Sequence, residues 1–129
     1  MVGGSSMISM QVEVSDDSTI FDPDEALDRI GGDEALLREM IDIFGHCLKD
    51  DMDKLGRSIE EGDQESIRRN AHRIKGSIGN FGMNRAYNAA YAIEQGFCMP
   101  PEVVESLFLN LKSEIYELNK ALMKYMLST

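Results

Sequence analysis

His72, Lys75 and Gly76 put an imidazole, an ammonium and a missing side chain within one helical turn of each other. At roughly 100° per residue, positions three and four apart lie side by side, so Lys75 and Gly76 flank His72 while Arg68 and Arg69 approach from the preceding turn. The apolar residues of the same stretch, Ile67, Ala71, Ile74 and Ile78, form a stripe turned roughly 130° away, which predicts that His72 faces solvent. A neutral imidazole, with a reference pKa of about 6.5, is a competent nucleophile near neutral pH without a general base. Lys75 is placed to neutralise a group carried on that imidazole. The chemistry that fits is a histidine that accepts a phosphoryl group.

These residues also carry a resemblance. His72, Lys75, Gly76 and Ser77, followed by Asn80-Phe81-Gly82, resemble the signature of histidine-containing phosphotransfer (HPt) domains of bacterial phosphorelays. The preceding Asp28-Arg29-Ile30-Gly31-Gly32-Asp33-Glu34 and Glu61-Gly62-Asp63 are similar to the same family in order and spacing, so the likeness covers about residues 21 to 127. Ile78 departs from the pattern, because many members carry a small residue there. The resemblance implies a four-helix bundle and a phosphoryl carrier without catalytic activity of its own. Its partners would be receiver domains of response regulators, a histidine kinase, or both. It needs no cofactor of its own, since the Mg²⁺ used in transfer would belong to the partner receiver. Two alternatives are an excised phosphoacceptor domain of a hybrid or chemotaxis-type kinase and a helical adaptor that binds without being phosphorylated.

Phosphoryl transfer from an aspartyl phosphate passes through a loose, in-line transition state, so positioning and charge neutralisation are what the site must supply. Gly76 costs about 1 kcal/mol of helix propensity, and with Gly79 it removes bulk on the His72 side where a partner must approach. Ser77 is expected to bond back to a backbone carbonyl. Arg68, Arg69 and Arg85 are candidate docking contacts. His46 and Cys47 are adjacent in sequence and do not converge, so no metal site is expected.

Composition narrows the function classes. A chain of 129 residues suits one domain. It has neither GxxxxGK[ST] nor G-x-G-x-x-G, so a phosphoryl group must come from another protein or domain, and no small-molecule substrate is expected. A net charge of -10 argues against nucleic acid. The charge is uneven, however. No acidic residue lies between Glu65 and Glu94, whereas Arg68, Arg69, Arg73, Lys75 and Arg85 do, which predicts a basic island suited to an acidic partner pocket. Cys47 and Cys98 have no CxxC spacing, and no apolar run approaches the ~20 residues of a membrane span. A cytoplasmic monomer that does not engage a membrane is expected.

The elements that hold these residues are all helical by periodicity. Residues 1–20 lack it and read as a flexible segment or linker, leaving 21–129 for the bundle. Asp22 and Pro23 start a short helix that ends near Ile30. Asp33 caps a long helix with Leu37, Met40, Ile41, Phe44, Cys47, Leu48, Met52, Leu55 and Ile59 on its stripe. Gly62-Asp63 stops it and caps the His72 helix, which is expected to run to about Phe81, with Gly82 making the left-handed turn. A helix over 84–95 buries Ala86, Ala89, Ala90 and Ile93. Pro100-Pro101 then introduces a last helix with Val104, Leu107, Phe108, Leu111, Ile115, Leu118, Leu122 and Met126 inward. Short connections make this an all-α, antiparallel four-helix bundle with a short additional N-terminal helix. The methionines on these helices read as core filling.

Overall fold

The computed structural model describes residues 18–79 and 81–128, and among them all regular structure is helical. Five helices follow in order: α1 (Pro23–Arg29), α2 (Glu34–Glu61), α3 (Gln64–Ile78), α4 (Asn84–Gln95) and α5 (Pro101–Leu127). Each of the last four packs on its neighbour in sequence, and α5 closes back onto α2, giving the expected bundle with α1 set against α2. The expected segment 1–20 lies largely outside the described residues, as does Asn80 of the motif. Ile20 and Phe21 already pack on the core, and Phe21 meets Tyr125 edge to face at 5.8 Å between ring centroids.

The helix starts follow from local chemistry. The side chains of Asp22, Asp33 and Asp63 accept from the backbone N–H groups of Glu25, Leu36 and Ser66 at 3.2, 3.0 and 3.2 Å, satisfying donors that the first turn leaves unpaired. Gly62, with φ of 68°, ends α2 in the left-handed conformation and passes the chain directly to the Asp63 cap.

On α2 the buried positions are Leu37, Ile41, Phe44, Leu48, Asp51, Leu55 and Ser58, a strict alternation of four and three. That seam is narrower than the hydrophobic residues alone suggest. Cys47, expected inside, is exposed, because it precedes Leu48 and falls on the flank of the seam. Met52 and Ile59 are half-buried flank residues, while polar Asp51 and Ser58 take seam positions. Ser58 is satisfied there: its hydroxyl donates to Lys54 O at 3.0 Å and accepts from Asn70 Nδ2 at 2.8 Å, tying α2 to α3. On α5, Val104, Leu111, Ile115, Leu118 and Leu122 are buried, with Leu107, Phe108 and Met126 partly so. Of the methionines, Met83 is fully inside whereas Met99 and Met123 are exposed, so core filling accounts for only some of them.

The far end of α5 is held by Arg38. Its guanidinium donates to the carbonyls of Met126 and Ser128 at 2.8 and 2.6 Å, reaches Tyr125 O at 3.3 Å, and lies over the Tyr125 ring. Three carbonyls at a helix C-terminus thereby gain a charged donor, although Tyr125 O also accepts from the backbone N–H and hydroxyl of Ser128.

The connection from α3 to α4 differs from expectation. Helix α3 ends at Ile78, three residues before Phe81, since Phe81 turns inward and packs against Phe44 at 6.3 Å between centroids. Gly82 does adopt a positive φ of 64°, within the turn leading to α4. Its carbonyl accepts from Asp22 N at 3.0 Å, and an added Cβ would lie 2.8 Å from Asp22 Cβ. The turn that orients α4 is thus pressed against the start of α1. Gly82→Ala should lower the unfolding free energy by ~1–3 kcal/mol, from strain at this φ and the clash together. Chemical denaturation measures it, and an unchanged midpoint would mean that Asp22 moves aside freely.

Candidate functional site

The site lies where the last turns of α4 pass alongside the middle of α3. Helix α4 presents Ala86, Ala89 and Ala90 as buried residues, and side chains this small let the two helices approach closely. On α3, Ile67, Ala71, Ile74 and Ile78 are all buried, as the periodicity predicts, and the His72 side chain is 62% exposed.

Around His72 the central group is a residue that sequence reasoning missed. Glu94, on the last turn of α4, places Oε2 2.7 Å from His72 Nδ1 and Oε1 2.8 Å from Lys75 Nζ. Its side chain is only 13% exposed. Oε1 is shut off from solvent, and the Lys75 ammonium is what compensates it. Lys75, itself 17% exposed, also lies over the Tyr91 ring at 5.1 Å, and Tyr91 stacks on Tyr87. Lys75 is therefore a tethered cation and not a freely solvated one.

Two consequences for protonation follow. The Lys75 ammonium, followed by the His72 contact, holds the Glu94 carboxyl below its ordinary value of 4.5 against the opposing effect of burial. The Glu94 carboxylate in turn raises Lys75 above 10.5. A carboxylate only accepts hydrogen bonds, so at 2.7 Å Nδ1 is the ring nitrogen that bears the proton. Nε2 is left with its lone pair, on an exposed ring.

Gly76 opens onto empty space, with no atom beyond its own stretch of helix backbone and chain neighbours within 4 Å of where a Cβ would stand. Gly79 is different. It caps α3, and a Cβ there would touch Tyr87 at 3.4 Å, so it backs onto α4 and does not share the open ground expected of it beside Gly76. Ser77 Oγ donates to Arg73 O at 3.2 Å, the back-bond expected of it.

The arginines separate. Arg68 is paired with Glu65, and Arg69 Nη2 donates to Ser66 Oγ at 3.1 Å, both on the exposed first turns of α3. Arg85, a docking candidate from the sequence, is engaged by α5. Its guanidinium grips Glu114 of α5 at 2.8 and 3.3 Å, and its backbone N–H donates to Thr19 O at 2.9 Å, because the first turn of α4 faces α5 and not the His72 surface. The basic island is thus smaller than the sequence suggests, with Glu65 on Arg68 and Glu94 on Lys75. Glu94 is the one acidic residue in α4, and the short connection after α3 was the signal that could have found it.

Among the described residues no group of three His, Cys, Asp or Glu side chains is placed to hold a metal ion, and no helix is long and apolar enough to cross a membrane.

Comparison with known proteins bears on the family and the fold. The family model of the Hpt domain matches residues 39–121, more than half of the chain, and the chain belongs to that family. The crystal structure of the HPT domain from an Hpt sensor hybrid histidine kinase from Shewanella superposes with a TM-score of 0.71 at 19% sequence identity, over 83% of this chain and 93% of that one. At that identity the likeness concerns the fold. No curated protein matches the chain.

The Glu94 shift fixes the sign of an acid effect. A carboxyl with a depressed folded-state value contributes stability above 4.5 and loses it as pH falls through the lower folded value. Lys75, raised above 10.5, contributes below that value and loses it only on the alkaline side. On acidification below 4.5 the thermal midpoint of the wild type should therefore fall more steeply than that of Glu94→Gln. Parallel curves would show that the carboxylate is not held anionic by its neighbours.

Proposed function

We propose that His72 is the phosphoryl-carrying residue of this Hpt domain, accepting a phosphoryl group from a receiver-domain aspartate or a histidine kinase and donating it to another receiver. The observation that supports this best is the Glu94 bridge, which leaves Nε2 as an exposed lone pair and keeps a cation one helical turn away. In the forward step the Nε2 lone pair attacks phosphorus, and the P–O electron pair departs with the partner's carboxylate. No proton has to move, so the chain needs no general base of its own and acts as a carrier without autonomous catalysis. Mg²⁺ would be supplied by the receiver.

Lys75 is held 2.8 Å from Glu94 in the resting site. A phosphoryl group on Nε2 offers it a competing anion, so the ammonium can divide its charge between the two. Gly76 leaves the approach to His72 open. The same chemistry would serve a free-standing relay protein or a domain within a kinase, the setting of the Shewanella domain that shares this fold.

Labelled phosphoryl groups should pass from a phosphorylated receiver to the wild type and not to His72→Gln, whose circular dichroism should match the wild type because the position is exposed. The product should be acid-labile and alkali-stable. Transfer to the variant at the wild-type rate, or label mapped to His46, would overturn the assignment. Lys75→Ala should slow transfer about tenfold or more through loss of a charged donor, and an unchanged rate would remove Lys75 from the reaction.

Gly76→Gln should affect stability and transfer in opposite directions. Replacing a poor helix former that has no neighbour should raise the unfolding free energy by ~0.5–1 kcal/mol, while a side chain beside His72 obstructs the receiver. A loss of several kcal/mol on denaturation would show that this face is packed against something.

A further inference from the structure

Once His72 carries a phosphoryl group, the fate of its Nδ1 proton decides whether the group can leave again. Attack by Nε2 on an acyl phosphate uses its own lone pair for the N–P bond and keeps the proton on Nδ1, so the product ring is an N-phosphoimidazolium with one positive charge. In the donating step the N–P electron pair returns to Nε2, and the leaving group is neutral imidazole. If Nδ1 has lost its proton, the leaving group is instead imidazolate, a far stronger base and a correspondingly poor leaving group. Acceptance and donation are symmetrical only while that proton stays in place.

The group bonded to the proton is Glu94, with Oε2 at 2.7 Å and a side chain mostly withdrawn from solvent, where its charge is weakly screened. We propose that the Glu94 carboxylate retains the Nδ1 proton on phosphorylated His72 and so keeps the phosphohistidine a competent donor at pH values where an unassisted one would be inert. This inference rests on the carrier role of His72 proposed above.

The surroundings define the balance. On α3, Lys75 and Arg68 are the cations near the ring, Arg68 being paired with Glu65 and Arg69 bonded to Ser66 on the turn before, and these cations oppose retention of a further positive charge. From α4 come Glu94 and, over Lys75, the Tyr91 ring stacked on Tyr87. Helix α2 meets α3 on the Asn70 side, through the bond to Ser58, which lies roughly 200° around the helix from His72. Glu94 is thus the anion that faces the ring from the helices packed on α3. Its effect grows when it is needed: as the phosphoryl oxygens draw Lys75 toward them, Glu94 is less neutralised and becomes a stronger acceptor for Nδ1–H. Lys75 thereby couples loading of the site to retention of the proton.

Spontaneous hydrolysis, with water as the phosphoryl acceptor, tests this without a cognate partner. The wild type, Glu94→Gln and Glu94→Asp are loaded with phosphoramidate, the phosphoproteins are isolated, and release of phosphate is followed from neutral to alkaline pH. Gln still accepts a hydrogen bond from Nδ1 but has lost the charge, whereas Asp keeps the charge. The pH above which release slows should lie about one unit lower in Glu94→Gln than in the wild type, at the low end of what an opposite charge at this distance supplies. Glu94→Asp should recover most of that difference. Superimposed profiles for wild type and Gln would overturn the inference and leave the carrier assignment standing. If neither phosphoramidate nor phosphorylated receivers label His72 in the wild type, the carrier assignment itself fails, and this inference with it.

Discussion

One carboxylate shared between an imidazole and an ammonium is the interaction on which the site depends. Glu94 fixes which ring nitrogen of His72 bears the proton and holds Lys75 one turn away. Both partners sit on α3, and the carboxylate comes from α4, so the arrangement exists only if these two helices keep their register. Three features of the chain enforce it: the alanine face of α4, the Gly82 turn pressed against Asp22, and the inward Phe81 that shortens α3.

The remaining helices make that pair rigid. The seam of α2 runs at alternating spacings of four and three, and Ser58 links it to Asn70 on the side of α3 opposite His72. Arg38 fastens the end of α5 to the start of α2, while Arg85 and Glu114 fasten the start of α4 to α5. An ion pair with an exposed partner contributes little to stability, but the Arg85–Glu114 pair and the Arg38 hydrogen bonds to carbonyls of α5 connect elements distant in sequence and so restrain how the helices slide. The protein carries a net charge of -10, and the cations nearest His72 on its own helix, Arg68 and Lys75, are paired with Glu65 and Glu94.

What was legible in the sequence was local. The caps at Asp22, Asp33 and Asp63 involve residues three apart in the chain, and the exposure of His72 follows from one helix's periodicity. Misreadings arose where a neighbour in space decided the outcome. Cys47 looked apolar enough to be buried, but the bundle needs a narrow seam and filled it with Asp51 and Ser58. Arg85 looked like part of a basic patch until Glu114, 29 residues away, claimed it. Glu94 lies on a different helix from His72, and its contact spans 22 residues, so the periodicity of one helix does not reveal it. Helix pairing through a short connection carries that information, and it becomes readable only once the register of α3 against α4 is known.

The most direct measurement is the ring-nitrogen ¹⁵N spectrum of His72 at a pH where the imidazole is neutral. Glu94 bonded at Nδ1 predicts a single dominant tautomer, with the proton on Nδ1 and an unprotonated Nε2, and a return toward the mixture of free imidazole in Glu94→Ala. A proton found on Nε2 in the wild type, or spectra unchanged by removing Glu94, would contradict the account, because the nitrogen assigned as nucleophile would then not owe its lone pair to the bridge.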